Sequence, residues 1–257
     1  MALYPLEKER TSLKAFQQLT GIEDEEELKQ HILRVQKKAY DVYGYPCIRA
    51  FSFVRPKVLR IPAYNEALGI LKKNKDAMLL DMAWCYECTI GTDARKAAFD
   101  GWPAQNIIGS DLHEEVDAAS RPSDLRTLTS LTPLQGHISA IHASSFFHFF
   151  SEEKQLEAAR QLASLLSPEP GSIIFGSHMG EGVKGPQQVP DEVKGLREPM
   201  YCHSPETWKR EVWDGPVFEQ GTVEVKAELR EIEMPSLYPG GPEVWKSYLL
   251  LCSVTRL

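Results

Sequence analysis

The sequence predicts an α/β protein with a doubly wound, mostly parallel sheet. Residues 77–82 and 106–111 are two short apolar runs, and each of them reaches an aspartate, Asp81 or Asp111. Apolar runs of this length are typical of parallel strands that are buried on both faces. A helical pattern opens at Gly91 between them, and the runs lie about 30 residues apart, which is the spacing of a βαβ unit.

The rest of the chain supplies the other elements of such a fold. Asp24 and Glu27 form a capping pattern at the start of a helical run that ends near Val42. Ser204 and Pro205 are typical of a helix N-terminus. Further predicted elements are a helix at residues 62–73, a strand at 137–144, a helix capped by Ser151, a strand at 172–176, a glycine- and proline-rich lid at 176–195, and an antiparallel hairpin at 222–234 and 245–254.

A parallel sheet binds its ligands beyond the carboxyl ends of its strands. Asp81, Gly91 and Asp111 are therefore the first candidate site residues. Glycine at the start of a helix permits a positive φ and lets a ligand approach backbone amides. The alternative for both aspartates is structural, because aspartate commonly caps the helix or turn that follows a strand.

Five motifs occur in order along the chain: residues 45–49, 79–82 together with 91–96, 100–103, 107–112 and 141–148. Their letters are YPCIR, LLDM with GTDARK, DGWP, IIGSDL and IHASSFFH. Together they resemble the class I S-adenosylmethionine-dependent methyltransferases of fungal specialised metabolism, which methylate meroterpenoid and polyketide acids. The resemblance extends from about residue 43 to the C-terminus. It implies a Rossmann-like methyltransferase domain at residues 71–257, with an N-terminal helical cap at residues 1–70.

The same resemblance implies S-adenosylmethionine as the cofactor. The residues that it places at the cofactor are Asp81, Gly91, Thr92, Asp111, Leu112 and Ser144. This chain departs from the family in two places. The loop at residues 83–90 is bulkier and longer than the family's glycine turn, and residues 112–136 are short by roughly a strand and a helix.

For the substrate side, the resemblance implies two catalytic candidates, His142 and His148. Histidine can take a proton from a hydroxyl group, whereas a carboxylate substrate needs no base. The alternative for both histidines is a buried ring bonded to backbone carbonyls. The implied substrate-binding residues are Tyr45, Arg49, Phe147 and His178. A loop arginine can also simply face solvent, and phenylalanines more often form core than a pocket.

Composition limits the classes of partner. A formal charge of -7 and a pI near 5.6 give no electrostatic basis for nucleic-acid binding. No apolar run approaches the length of a membrane span. Five scattered cysteines suggest a reducing compartment, so a cytoplasmic protein is expected. Cys85 and Cys88 have no second Cys-x-x-Cys pair, so no metal site is predicted.

The predicted function is methylation of a carboxyl or hydroxyl group on an apolar natural product of terpenoid or polyketide type. In one alternative, the protein keeps this fold but uses no methyl donor, and it catalyses a cyclisation or isomerisation. Another is a non-catalytic partner subunit. In the family, N-terminal helices often help to form a dimer, so a homodimer is expected. The alternative is an amphipathic helix that packs only on its own core.

Overall fold

A computed structural model describes residues 10–42, 46–49, 51–82, 91–110, 131–191, 200–235 and 244–257. Tyr45, Asp111, Leu112 and the loop at residues 83–90 lie outside these ranges, as does most of the shortened segment after Leu112. The chain forms two compact units. The first contains residues 1–60 and 81–126, and the second contains residues 61–80 and 127–257. The division predicted at residue 70 stays a prediction.

The described helices are α1 Arg10–Thr20, α2 Glu25–Val42, α3 Pro46–Arg49, α4 Ala63–Lys73, α5 Thr92–Phe99, α6 Glu152–Leu165 and α7 Pro205–Thr207, which a π-helix at Trp208–Trp213 continues. The described strands are β1 Leu79–Met82, β2 Ile107–Ser110, β3 Ala140–His142, β4 Ile173–Gly180, β5 Gly185–Pro186, β6 Tyr201–Cys202, β7 Val223–Pro235 and β8 Val244–Arg256. Short 3-10 turns lie at Ser52–Val54, Lys57–Arg60, Ala104–Asn106, Thr132–Leu134 and Phe147–Phe149.

The described strands form a six-stranded sheet in the order β2-β1-β3-β4-β8-β7 and a small sheet of β5 and β6. β3 pairs with β4 in parallel, while β8 is antiparallel to both β4 and β7. The mostly parallel α/β fold and the closing hairpin are thus confirmed. The hairpin forms because β7 alternates polar and apolar residues, whereas β8 has an apolar centre that is buried at Leu249–Leu251.

The first unit has an apolar core between helices α1 and α2 and the segment that follows α3. Its buried residues are Phe16, Leu28, Ile32, Phe51, Phe53 and Val54. Helix α2 begins where the capping pattern predicts, since the Glu27 N–H donates to Asp24 Oδ1 at 2.8 Å. The predicted bounds of α2 are confirmed.

Three local predictions for the second unit are wrong. β3 is shorter than predicted and covers only Ala140–His142. The Ser151 side chain makes no capping hydrogen bond to α6. The lid predicted from residue 176 is strand up to Gly180, because β4 pairs with β8 along its whole length and is buried throughout.

The glycines of β4 suggested a loop, but the structure needs them for close packing. A Cβ atom on Gly176 would lie 2.3 Å from the Ala143 carbonyl oxygen. A Cβ atom on Gly180 would lie 2.7 Å from the Leu250 Cβ. Contacts this short force a backbone to move, so both positions exclude any larger residue while the strands keep their spacing.

We predict that Gly176→Ala destabilises the protein by about 2 kcal/mol or more, because a methyl group must displace the backbone of Ala143. The matched control is Gly182→Ala, since no atom lies within 4 Å of a Cβ built there. That control should change the free energy of unfolding by less than about 0.5 kcal/mol. Urea denaturation of both variants checks this, and equal midpoints would contradict the assigned role of Gly176.

Candidate active site

The carboxyl end of β1 and the start of α5 carry the first group of predicted site residues. Asp81 is only 2% exposed. Gly91 precedes α5 with a φ of 71°, in the left-handed region that favours glycine. Thr92 is buried, and its hydroxyl donates to the Phe53 carbonyl oxygen at 2.8 Å. The first unit therefore holds a buried carboxylate at a strand end and a helix N-terminus that starts at a positive-φ glycine.

Asp93 is a residue whose role the sequence did not indicate. Its Oδ1 accepts a hydrogen bond from the Val58 N–H at 2.9 Å, and the residue is buried. Together with the Thr92 hydroxyl it fastens the segment at residues 53–58 to the start of α5. Arg49, at the end of α3, is exposed, and its predicted ligand role stays a prediction.

The carboxyl end of β3 carries the second group. His142 Nε2 lies 2.7 Å from Ser144 Oγ, and both residues are buried. Ser144 Oγ also accepts a hydrogen bond from the Ser177 N–H at 3.0 Å. The next residue, Ser145, has a φ of 55°, which non-glycine residues rarely adopt. Strained backbone of this kind persists where its surroundings hold it and is common at functional sites.

His148 lies in the turn Phe147–Phe149 that follows. Its Nδ1 accepts a hydrogen bond from the Met179 N–H at 3.1 Å, which attaches the turn to β4. A backbone N–H can only donate, so the neutral ring carries its proton on Nε2. His148 is thus arranged to donate a hydrogen bond rather than to accept a proton.

His178 faces an aromatic cluster from β4. Its ring centroid is 4.5 Å from that of Trp208 and 5.6 Å from that of Phe147. Phe147 also meets Trp208 edge-on at 4.9 Å, and Trp213 at 6.1 Å. In the described part of the chain, neither ring nitrogen of His178 has a hydrogen-bond partner. A buried polar group without a partner is rare and calls for a functional explanation.

The sequence missed Trp208 and Trp213, which lie at the two ends of the π-helix. A π-helix is rare and is often found at functional sites. The only signal that pointed to it was the predicted N-cap at Ser204, which is confirmed, and the structure adds a capping box between Ser204 and Thr207. That box fixes where the helix begins but does not indicate its widened turns.

Burial sets the charge of two histidines. Burial lowers the pKa of His178 to about 3, and the neighbouring His203 adds to the effect. Burial also lowers the pKa of His203 to about 4, against the attraction of Glu152. His203 Nδ1 lies 3.1 Å from the Thr207 hydroxyl. Both rings are therefore neutral at physiological pH.

An ionic cluster fixes the loop after β4 on the second unit. Lys184 Nζ lies 2.7 Å from Glu152 Oε1 and 2.5 Å from Glu211 Oε2. Tyr201 donates its hydroxyl hydrogen to Glu152 at 2.6 Å, and desolvation and this bond raise the pKa of Tyr201 to about 12. These contacts join the loop to α6 and to the π-helix. This part of the predicted lid is therefore held against the second unit by ion pairs.

The described residues form neither a metal-ion cluster nor a membrane-spanning helix. Those residues contain no cluster of three or more His, Cys, Asp or Glu side chains arranged to hold a metal ion. In the described ranges, no helix combines the length and the apolar character that crossing a membrane requires.

The sequence is similar to several fungal methyltransferases. Residues 3–54 match the family described as the meroterpenoid methyltransferase N-terminal domain. O-methyltransferase phiE of Fungal sp. (strain ATCC 74256) is 31% identical over 224 residues, which are 81% of this chain and 71% of phiE. O-methyltransferase atr3 of Stereocaulon alpinum is 29% identical over 74% of this chain and 57% of atr3. The asnovolin E/chermesin D methyltransferase nvfJ of Aspergillus novofumigatus is 30% identical over 58% of each chain.

We predict that stability falls as the pH is lowered from about 6.5 towards 4, because unfolded histidines gain protons there while His178 stays neutral in the folded protein. Each such histidine contributes a slope of about 1.4 kcal/mol per pH unit. His178→Leu should lower the slope of unfolding free energy against pH by the contribution of one histidine. Urea unfolding across this pH range measures it.

The control for this prediction is His137→Gln, because His137 is exposed. This variant should keep the wild-type slope. If His178→Leu keeps that slope as well, His178 does not stay neutral in the folded protein.

Proposed function

Because the chain belongs to the family of fungal methyltransferases that includes O-methyltransferase phiE, we propose that it transfers a methyl group from S-adenosylmethionine to an apolar specialised metabolite. The acceptor is a carboxyl or hydroxyl oxygen of a terpenoid or polyketide type of molecule. The observation that supports this most is the packing of the neutral His178 ring of β4 against Phe147 and Trp208, which suits an apolar ligand with one polar group.

The described residues of the first unit fit the proposed cofactor. When bound, S-adenosylmethionine supplies an electrophilic methyl group on a sulfonium centre. The buried carboxylate of Asp81 is an acceptor that suits the ammonium group of its methionine portion. The N-terminus of α5, which begins after Gly91, favours a negative group such as its carboxylate.

Thr92 and Ser144 have side chains that bond within the protein. The Thr92 hydroxyl holds the Phe53 carbonyl, and Ser144 Oγ joins His142 to Ser177. We therefore assign both side chains a positioning role, and cofactor contact through their backbone atoms remains a prediction. Cofactor contacts by Asp111 and Leu112 remain predictions.

The proposed substrate contacts combine an apolar wall with a few hydrogen-bonding groups. Phe147, Trp208 and Trp213 form the apolar wall as a packed cluster of rings, each 2% exposed or less. His178 supplies a neutral ring whose nitrogens have no partner among the described residues. His148 supplies an N–H on Nε2. We assign His148 and His178 to orienting the oxygen atom that is methylated.

A carboxyl acceptor is favoured over a hydroxyl acceptor. A hydroxyl group must lose its proton as it attacks, which requires a base with a pKa near the working pH. His178 has a pKa of about 3, which is too low for this role at neutral pH. His148 uses its only basic nitrogen to accept the Met179 N–H. The Nε2 of His142 is engaged by the Ser144 hydroxyl at 2.7 Å. A carboxylate is already ionised at neutral pH, so positioning alone can supply most of the rate.

The other parts of the proposal concern partner and compartment. Helices α1 and α2 remain the proposed contact for a homodimer. Cys252 is a free thiol, which supports a reducing compartment such as the cytoplasm.

We predict that S-adenosylmethionine binds to the wild-type chain and that Asp81→Asn weakens binding about tenfold or more, because the amide loses the charge that attracts the ammonium group. The control is Asp76→Asn, an exposed turn residue that should leave the affinity unchanged. Isothermal titration calorimetry measures both. An absence of binding by the wild type would favour the cyclisation or isomerisation alternative.

We also predict that the methylation rate of a carboxylic acid substrate stays level between about pH 6 and pH 9, because the acceptor is ionised throughout this range. His148→Asn keeps an acceptor for the Met179 N–H and removes the Nε2 donor, so it should lower kcat about tenfold without changing this profile. A rate that falls below about pH 6.5 in the wild type and loses this dependence in His148→Asn would identify His148 as a base instead.

A further inference from the structure

The second unit has a groove at the end of the sheet where β4 begins. Its volume is about 440 Å³, and it is lined by residues of α6, of the segment before β7 and of the end of β8. Cavities of this size commonly hold small molecules. The groove has no part in the proposed methyl transfer.

Its position separates it from the candidate active site. Arg256, which lines the groove, donates its backbone N–H to the Ser172 carbonyl at 2.9 Å, immediately before β4. His178 lies six residues further along the same strand. At about 3.3 Å per residue, Arg256 and His178 lie roughly 20 Å apart. The two regions meet only where Phe218, which lines the groove, stacks on Trp213.

Arg256 is held in place by an aromatic ring. Its guanidinium carbon lies 4.6 Å from the centroid of Phe218, which is a cation–π geometry. Phe218 in turn stacks against Trp213, with ring centroids 6.1 Å apart and an angle of 20° between the planes. The Nε of Arg256 is buried and has no acceptor in the described part of the chain. The guanidinium group is therefore held in position, and its Nε–H has no acceptor among the described residues.

A second arginine, Arg160, reaches the same groove from α6. Among the described residues, neither arginine forms an ion pair with a carboxylate. Glu219 also lines the groove, so two positive charges stand against one negative charge. Val217 and Ala163 add apolar surface beside them.

We propose that this groove binds a small organic anion, with its carboxylate or phosphate group on Arg160 and Arg256. The planar guanidinium group matches either head group with paired hydrogen bonds. The apolar part of the ligand lies along Val217 and Ala163. This site is independent of the proposed methyl transfer, because no residue in it belongs to the candidate active site.

The test is isothermal titration calorimetry of the full chain with benzoate, phenyl phosphate and benzamide. Benzamide has the shape of benzoate without its charge. We expect saturable binding of at least one anion and binding of benzamide that is about tenfold weaker or absent. Which anion binds more tightly identifies the head group.

Arg160→Gln and Arg256→Gln should each weaken anion binding about tenfold. Arg210→Gln is the control, because Arg210 is an exposed arginine that pairs with Glu206 and does not line the groove. It should bind as the wild type does. Arg160 is exposed, so its variant keeps the test decisive even if Arg256→Gln fails to fold.

Three results would overturn the proposal: no saturable binding of either anion, benzamide binding as tight as benzoate binding, or unchanged binding by Arg160→Gln. The last result also distinguishes this site from benzoate bound at the candidate active site, because Arg160 is not part of it.

Discussion

The parallel pairing of β3 with β4 is the constraint on which the candidate active site depends. The hydrogen bonds continue past the last residue of β3. The Ala143 N–H donates to the Phe175 carbonyl at 2.9 Å, and the Ser145 N–H donates to the Ser177 carbonyl at 2.7 Å. This close approach is possible because Gly176 has no side chain. The turn after β3 is thereby fixed as an extension of β4.

This pairing explains the geometry of the site residues. The left-handed conformation of Ser145 redirects the chain, and the Met179 N–H then binds His148 in the turn that follows. Ser144 is fixed by His142 on one side and by Ser177 on the other. Most hydrogen-bonding groups of the site thus have defined partners, which limits the orientations that the rings can adopt. A site held in this way can orient a substrate at little entropic cost.

Pattern and spacing predicted much of the fold but less of the site. α2 and the closing hairpin were predictable because periodicity and capping act locally. The second half of β4 was not, since Gly176 and Gly180 suggest a loop and only their contacts with other strands explain them. The sequence also placed His142, Ser144 and His148 at the end of β3. It could not show that His148 accepts a backbone N–H or that Trp208 packs on His178, because both depend on tertiary contacts.

If the chain methylates a carboxylate, its product is a methyl ester, whereas methylation of a hydroxyl group gives an ether. Identifying this bond in the product distinguishes the two acceptors. The chain would be incubated with S-adenosylmethionine that carries a labelled methyl group and with an apolar terpenoid or polyketide acid. An ester releases its labelled methyl group as methanol in mild alkali, whereas an ether keeps it. We expect release of the label, and a labelled product that resists alkali would show that the methylated atom is not a carboxylate oxygen.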